Sequence, residues 1–310
     1  MFRRRPPLLI RPELDDRALH STLAELRPGQ QLHGLGAGRS RPLWQPAAEL
    51  LAKTGRDWDR RVHRVSVLAR NLPPSVCEHW SVDRPGDGDA LVLAAWVRSV
   101  RAATEGRGAA QDAERACLRA AEHCPEDPTP WLALLELMYS FAVPPRAAVP
   151  VWSEAVTRAP WLRAAYHQLL RYLSPRGQGT VVDMLDFARQ GAARAPHGSP
   201  LALLPVAARV ELVAHRQRQL PLGAESHWNE PRAAEEVAVA LTDWFLSAAT
   251  PHAEAVADLN VLAFALIRVH RPADAAAVFA RIGRHMTPHP WELLPEPERT
   301  FLYWRDRLGR

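Results

Sequence analysis

His285, His289 and Glu292 come nearest, by type and spacing, to a metal centre: two imidazoles four residues apart and a carboxylate three further on. Ligands four apart share a face only if the helix runs unbroken between them, and Pro288 and Pro290 interrupt it. The set therefore reads as a helix end and turn. The chain holds no His-Glu-x-x-His sequence and no Cys-x-x-Cys pair. The stretch Gly34-Leu-Gly-Ala-Gly38-Arg39-Ser40 resembles a loop that cradles phosphate with backbone N–H groups. His33 stands where its first glycine is required, Arg39 replaces the lysine, and no apolar strand precedes it. Acid–base chemistry needs two carboxylates in one cleft, and Asp15-Asp16 and Glu235-Glu236 read as solvated pairs. No Gly-x-Ser-x-Gly elbow is present. No catalytic residue, metal or cofactor is assigned on these grounds.

Binding chemistry has more support. The formal charge is +5 and the pI about 9.6, with Lys53 the single lysine, so the positive charge is almost all guanidinium. Together with abundant alanine, glycine and proline this fits the composition of a high-GC bacterial genome, with acidic residues interspersed as on a solvated helical face. Trp131, Trp161 and Trp291 each follow a proline directly, where an indole packs onto the preceding turn and sets the helix entry. Cys77, Cys117 and Cys124 form no disulfide framework and read as thiols of a reducing cytoplasm. Residues 1–10 are basic and then briefly apolar before Arg11-Pro12, too short for a signal peptide. No later segment is apolar over a membrane span, so a cytoplasmic location without membrane contact is expected.

Alanine-rich composition and the lack of alternating β-branched runs predict an all-α fold. Residues 1–42 are expected as an N-terminal arm and linker, with a short helix over 12–26 and a glycine-rich, mobile stretch from Arg27 to Pro42. Residues 43–310 are expected as a helical-repeat domain. Its predicted helix pairs cover 43–54 with 56–70, 87–105 with 109–123, 128–141 with 146–158, 160–173 with 180–194, and 252–270 with 272–285. Pro73-Pro74 ends the first pair. The clearest repeats span 87–196 and 252–290. An irregular insert, 199–250, holds two helices, and a closing helix runs over 295–308.

A spacing pattern recurs within these pairs. It reads Ala113–Cys117–Ala120–Pro125, Ala148–Trp152–Ala155–Pro160, Met184–Ala188–Gly191–Pro196 and Ala276–Ala280–Gly283–Pro288. The first three prolines lie 35 and 36 residues apart, the period of a helical solenoid. Small residues let helix axes approach, larger ones such as Trp152 and Phe279 fill the gaps between pairs, and each proline ends a second helix. The pattern resembles the second helix of the tetratricopeptide repeat. Trp131-Leu-Ala-Leu-Leu-Glu-Leu-Met-Tyr139 and Asn260-Val-Leu-Ala-Phe-Ala-Leu-Ile267 resemble its first helix, although Glu136 stands where the family has glycine.

The resemblance implies a right-handed superhelix of stacked antiparallel helix pairs whose first helices line a concave groove. In that register Arg98, His167, Arg171 and Arg268 face the groove, with Leu137 and Phe141 as apolar neighbours. Guanidinium groups there suit an acidic peptide or a C-terminal carboxylate. The leading expectation is a non-enzymatic scaffold or adaptor that holds a peptide or protein segment. The alternatives are nucleic-acid binding through arginines and the basic arm (Arg3, Arg4, Arg5, Arg39, Arg41), or an enzyme or regulatory subunit with its site in 199–250. The leading expectation predicts no retention of RNA or DNA in filter binding at low salt. Retention that falls steeply with added salt would favour the nucleic-acid alternative.

Overall fold

The computed structural model describes residues 7–26, 42–219, 223–247 and 251–308. The stretch expected to be mobile therefore falls, over 27–41, outside the described residues, as do Arg3, Arg4, Arg5, Arg39 and Arg41. Every regular element among the described residues is helical, and the one extended contact is a parallel bridge between Leu9 and His285. None of the described helices is long and apolar enough to cross a membrane. The chain forms two compact units, Asp16–Leu169 and Leu170–Arg310 with the residues up to Asp15.

The Asp16–Leu169 unit holds α1 (Arg17–Glu25), α2 (Gln45–Thr54), α3 (Trp58–Asn71), α4 (Pro74–Asp83), α5 (Gly88–Glu105), α6 (Arg107–His123), α7 (Thr129–Ser140) and α8 (Pro145–Arg158). Helix starts follow simple capping chemistry. Asp57 Oδ1 accepts from the Arg60 N–H at 3.2 Å, and Asp87 Oδ1 accepts from the Asp89 and Ala90 N–H groups. The α4 helix is not expected from the sequence. Pro74 opens it, because a first-turn residue needs no N–H partner and proline already has helical φ. What reads as a stop is therefore a start. The α4 helix then packs on α5.

The α5–α6 pair turns at Gly106, whose φ of 94° is open to glycine and strained for other residues. The α7 helix packs against both α5 and α6, and α8 folds back on α7. The small residues of the first two pattern copies lie at these contacts: Ala113, Ala120, Ala148 and Ala155 have no exposed surface. The third copy, on α10 (Val181–Arg194), likewise buries Met184, Ala188 and Gly191. The fourth copy departs. On α14 (Pro272–Ile282) it is Ala275, Val278, Phe279 and Ile282 that are buried, while Ala280 is exposed and Gly283 caps the helix end. The apolar face of α14 is set by its larger residues, and the alanines spaced like the repeat lie beside it.

Part of the segment expected as an arm is folded. Leu19 on α1 is fully buried, and Asp16 caps that helix through the Leu19 N–H at 3.0 Å. Arg64 on α3 donates to both Asp16 carboxylate oxygens and to Thr54 Oγ1. Burial works against the ionised Asp16 carboxyl, but the hydrogen bonds from Arg64 and Leu19 outweigh it and hold its pKa below the usual value. Earlier in the chain, Leu9 donates to the Arg284 carbonyl at 2.9 Å and accepts from the Met286 N–H at 3.1 Å.

The other unit holds the end of α9 (Arg163–Leu173), α10, α11 (Leu204–Gln219), α12 (Pro231–Val239), a π-helical turn (Ala240–Phe245), α13 (Ala255–Arg268), α14, α15 (Pro288–Trp291) and α16 (Pro297–Leu308). Nearly all of α13 is buried. Phe264, Phe279, Trp291 and Phe301 pack edge to face or tilted around it, with centroids 5.3–6.1 Å apart. One polar residue organises this core. Asn260 donates to the Val256 and His285 carbonyls, while its Oδ1 accepts from Trp291 Nε1 at 2.9 Å and from the Thr287 N–H.

Two stability predictions follow from burial. Arg61 lies at 5 % exposure between Asp89 and Asp127, each 2.7 Å away. Arg61→Met strands these carboxylates and is expected to cost about 3–5 kcal/mol in urea unfolding. Arg115→Met breaks only the exposed pair with Asp112 and should cost under about 1 kcal/mol. Equal midpoints for the two variants would contradict this. Asn260→Ala leaves the Trp291 and Thr287 donors without an acceptor and should lower stability by about 2–4 kcal/mol, read in the same unfolding curves.

Candidate functional site

Of the six residues expected in a groove, four lie in the Asp16–Leu169 unit. Arg98 is exposed on α5, Phe141 is half-buried just past α7, His167 is half-buried on α9, and Leu137 is buried within the core. Leu137 offers no surface to a ligand, because α7 turns that side of the helix inward. In the other unit Arg171 is half-buried on α9, and Arg268 ends α13. With α13 enclosed along its middle, Arg268 is the residue of its last turn that meets solvent. There Arg268 lines a cavity of about 490 Å³.

This cavity is built from three elements. The α13 C-terminal turn brings Ile267, Arg268 and His270. The short turn Ser226–Asn229 and its preceding residues bring Glu225, Ser226 and Trp228, and α16 brings Trp304. The Arg268 guanidinium lies 4.7 Å from the Phe264 ring centroid, a cation–π arrangement at the cavity wall. Its Nε pairs with Glu225 Oε2 at 3.1 Å, and Glu225 remains 38 % exposed. An exposed carboxylate on a half-buried guanidinium can be exchanged for a ligand carboxylate at little cost, since water re-solvates the one that leaves. Trp304, half-buried, provides an apolar wall beside that charge, with the buried Trp228 beneath.

The turn that carries Glu225 and Trp228 is fixed from below. Arg209 on α11, at 2 % exposure, donates from Nη1 to the His227 carbonyl and to Glu230, both at 3.1 Å, and from Nε to Glu236 at 2.5 Å. Arg189 on α10 reaches the same Glu236 carboxylate at 3.0 Å. The His227 ring is buried against Trp228, with centroids 5.0 Å apart, and its Nδ1 lies 3.3 Å from the Ala224 carbonyl. Burial, together with the nearby Arg209 charge, pushes its pKa down to about 4.

Among the described residues no group of three or more His, Cys, Asp or Glu side chains is arranged to hold a metal ion. His289 Nδ1 sits 3.5 Å from Glu292, and His285 gives its backbone carbonyl to Asn260. Cys77 and Cys117 are buried, and burial raises their thiols to about 12 and 11, far from nucleophilic use near neutral pH. Trp291 is buried in the core and Trp131 lies under the Arg158 guanidinium at 5.1 Å. Trp161 stays 42 % exposed. No family model matches the chain, and no curated protein is significantly similar to it.

The buried imidazole makes a pH prediction. Its folded pKa lies below the unfolded value near 6.5, so unfolding takes up a proton between pH 6.5 and about 4. The stability it contributes is complete above pH 6.5 and is lost as pH falls to 4. Melting temperatures should drop over that window, and the drop should shrink in His227→Phe. An unchanged profile in the variant would assign the effect elsewhere.

Proposed function

We propose that the chain is a non-enzymatic, tetratricopeptide-like helical-repeat module that holds a peptide segment of a partner protein. The observation that carries the binding reading is the Arg268 cavity: an exchangeable guanidinium lining the same hollow as the half-buried Trp304, on a unit with an aromatic core. Its chemistry suits a carboxylate beside an apolar side chain, as at a peptide C-terminus or in an acidic-apolar segment. The superhelical reading is supported by the way α7 packs on both helices of the preceding pair, with alanines at zero exposure in the contacts. Many arginines already face carboxylates, including Arg61, Arg64, Arg176, Arg189 and Arg209, and those are spent for binding phosphate.

In this reading Glu225 is an internal stand-in for the ligand carboxylate. Fluorescence anisotropy with a labelled peptide ending Glu-Leu-Trp, free acid against amide, tests it. The free acid is expected to bind about tenfold or more tightly, Glu225→Ala to strengthen it, and Arg268→Glu to weaken it by roughly ten- to hundredfold. Arg171→Glu tests whether more of the same unit takes part. Equal binding of acid and amide, unchanged by Arg268→Glu at wild-type helicity, would refute the assignment.

A further inference from the structure

The docked segment around Leu9 completes a second cavity on the same unit. The two backbone hydrogen bonds to Arg284 and Met286 hold Leu9 in place, and Leu8 packs on the unit's core. Ile10 follows at 42 % exposure and lines a cavity of about 510 Å³ whose other apolar surfaces come from Met286, Pro288 and Pro297. An isoleucine left this exposed beside an apolar hollow is surface that a partner side chain can cover.

The rim is acidic. Glu292, Glu296 and Glu298 face the cavity with a single guanidinium, Arg299, among its lining residues. Both Glu296 oxygens hold Arg299, at 2.9 and 3.0 Å, so that cation is already satisfied. Glu292 pairs with His289. Glu298, exposed in the first turn of α16, has no cationic partner among the described residues. We propose that this cavity binds an apolar peptide side chain flanked by arginine or lysine, the apolar group covering Ile10 and Met286 and the cation meeting Glu298 and Glu292. Three carboxylates against one guanidinium at the rim disfavour anionic lipid and nucleic acid. The site is separate from the Arg268 cavity and opposite to it in charge preference.

The test uses the full chain and three fluorescein-labelled, C-terminally amidated pentapeptides: Gly-Arg-Leu-Arg-Gly, Gly-Glu-Leu-Glu-Gly and Gly-Arg-Ser-Arg-Gly. With Arg268→Gln in the background of every protein tested, so that the other cavity takes no acidic peptide, anisotropy at low salt should show saturable binding of the first alone. Glu298→Gln should weaken it several-fold and Glu298→Lys with Glu292→Lys by about tenfold or more. Ile10→Asn should weaken it as well. Glu105→Lys, an exposed glutamate of the other unit, controls for bulk charge and should have no effect. Circular dichroism verifies the fold of each variant. The proposal is overturned if the Leu and Ser peptides bind alike, if the glutamate peptide binds as well as the arginine one, or if no saturation occurs by about 1 mM.

Discussion

A guanidinium that leaves water must have its charge met inside the protein, and each unit is organised around one that does. Arg61 in the Asp16–Leu169 unit ties α3 to Asp89 at the start of α5 and to Asp127 ahead of α7. Asp127 in turn accepts from the Thr129 N–H, so one carboxylate serves a buried charge and a helix start. Arg209 does the corresponding work for the other unit, joining α11 to α12 and to the turn that carries Glu225. Such pairs add little net stability against an apolar replacement, yet removing one partner is costly. Their consequence is positional: helices that could slide along apolar faces are pinned at one register.

Much of the helical layout is readable from punctuation, because proline and glycine act locally and a helix needs only its own residues to declare its ends. Stretches of 14 to 18 residues such as α3, α5 and α10 show their faces plainly. The α4 helix is missed because proline marks a stop and a first turn with the same letter, and only the neighbour it packs on decides between them. The fourth pattern copy misleads for a related reason. In a chain rich in alanine, small residues at repeat spacing occur on exposed faces too, and burial follows Val278, Phe279 and Ile282. The folding of Leu19 and of the segment around Leu9 depends on partners far along the chain, which no local window contains.

The candidate site is legible only in part. Arg268 stands out as a cation at the end of an apolar helix. Glu225, Trp228 and Trp304 do not, since they come from an irregular turn and a closing helix whose meeting point is a tertiary fact. Arg209 looks like any helical arginine in sequence. Its burial shows only when Glu230, Glu236 and the His227 carbonyl surround it. The resemblance to a repeat family directs attention to exposed first helices, whereas α13 is enclosed from Asp258 to Ile267 and offers Arg268 at its end.

The pairing of Leu9 with Arg284 and Met286 has a consequence for biogenesis. The Asp16–Leu169 unit is one unbroken stretch and can finish folding while the ribosome is still translating the rest. The other unit cannot, because the segment around Leu9 emerges well before the Arg284 and Met286 edge on which it docks. Residues 7–10 must wait until Met286 has been translated, so closure of that unit follows the folding of the Asp16–Leu169 unit. A ribosome stalled before Arg284 would present a folded Asp16–Leu169 unit with its leading segment still undocked.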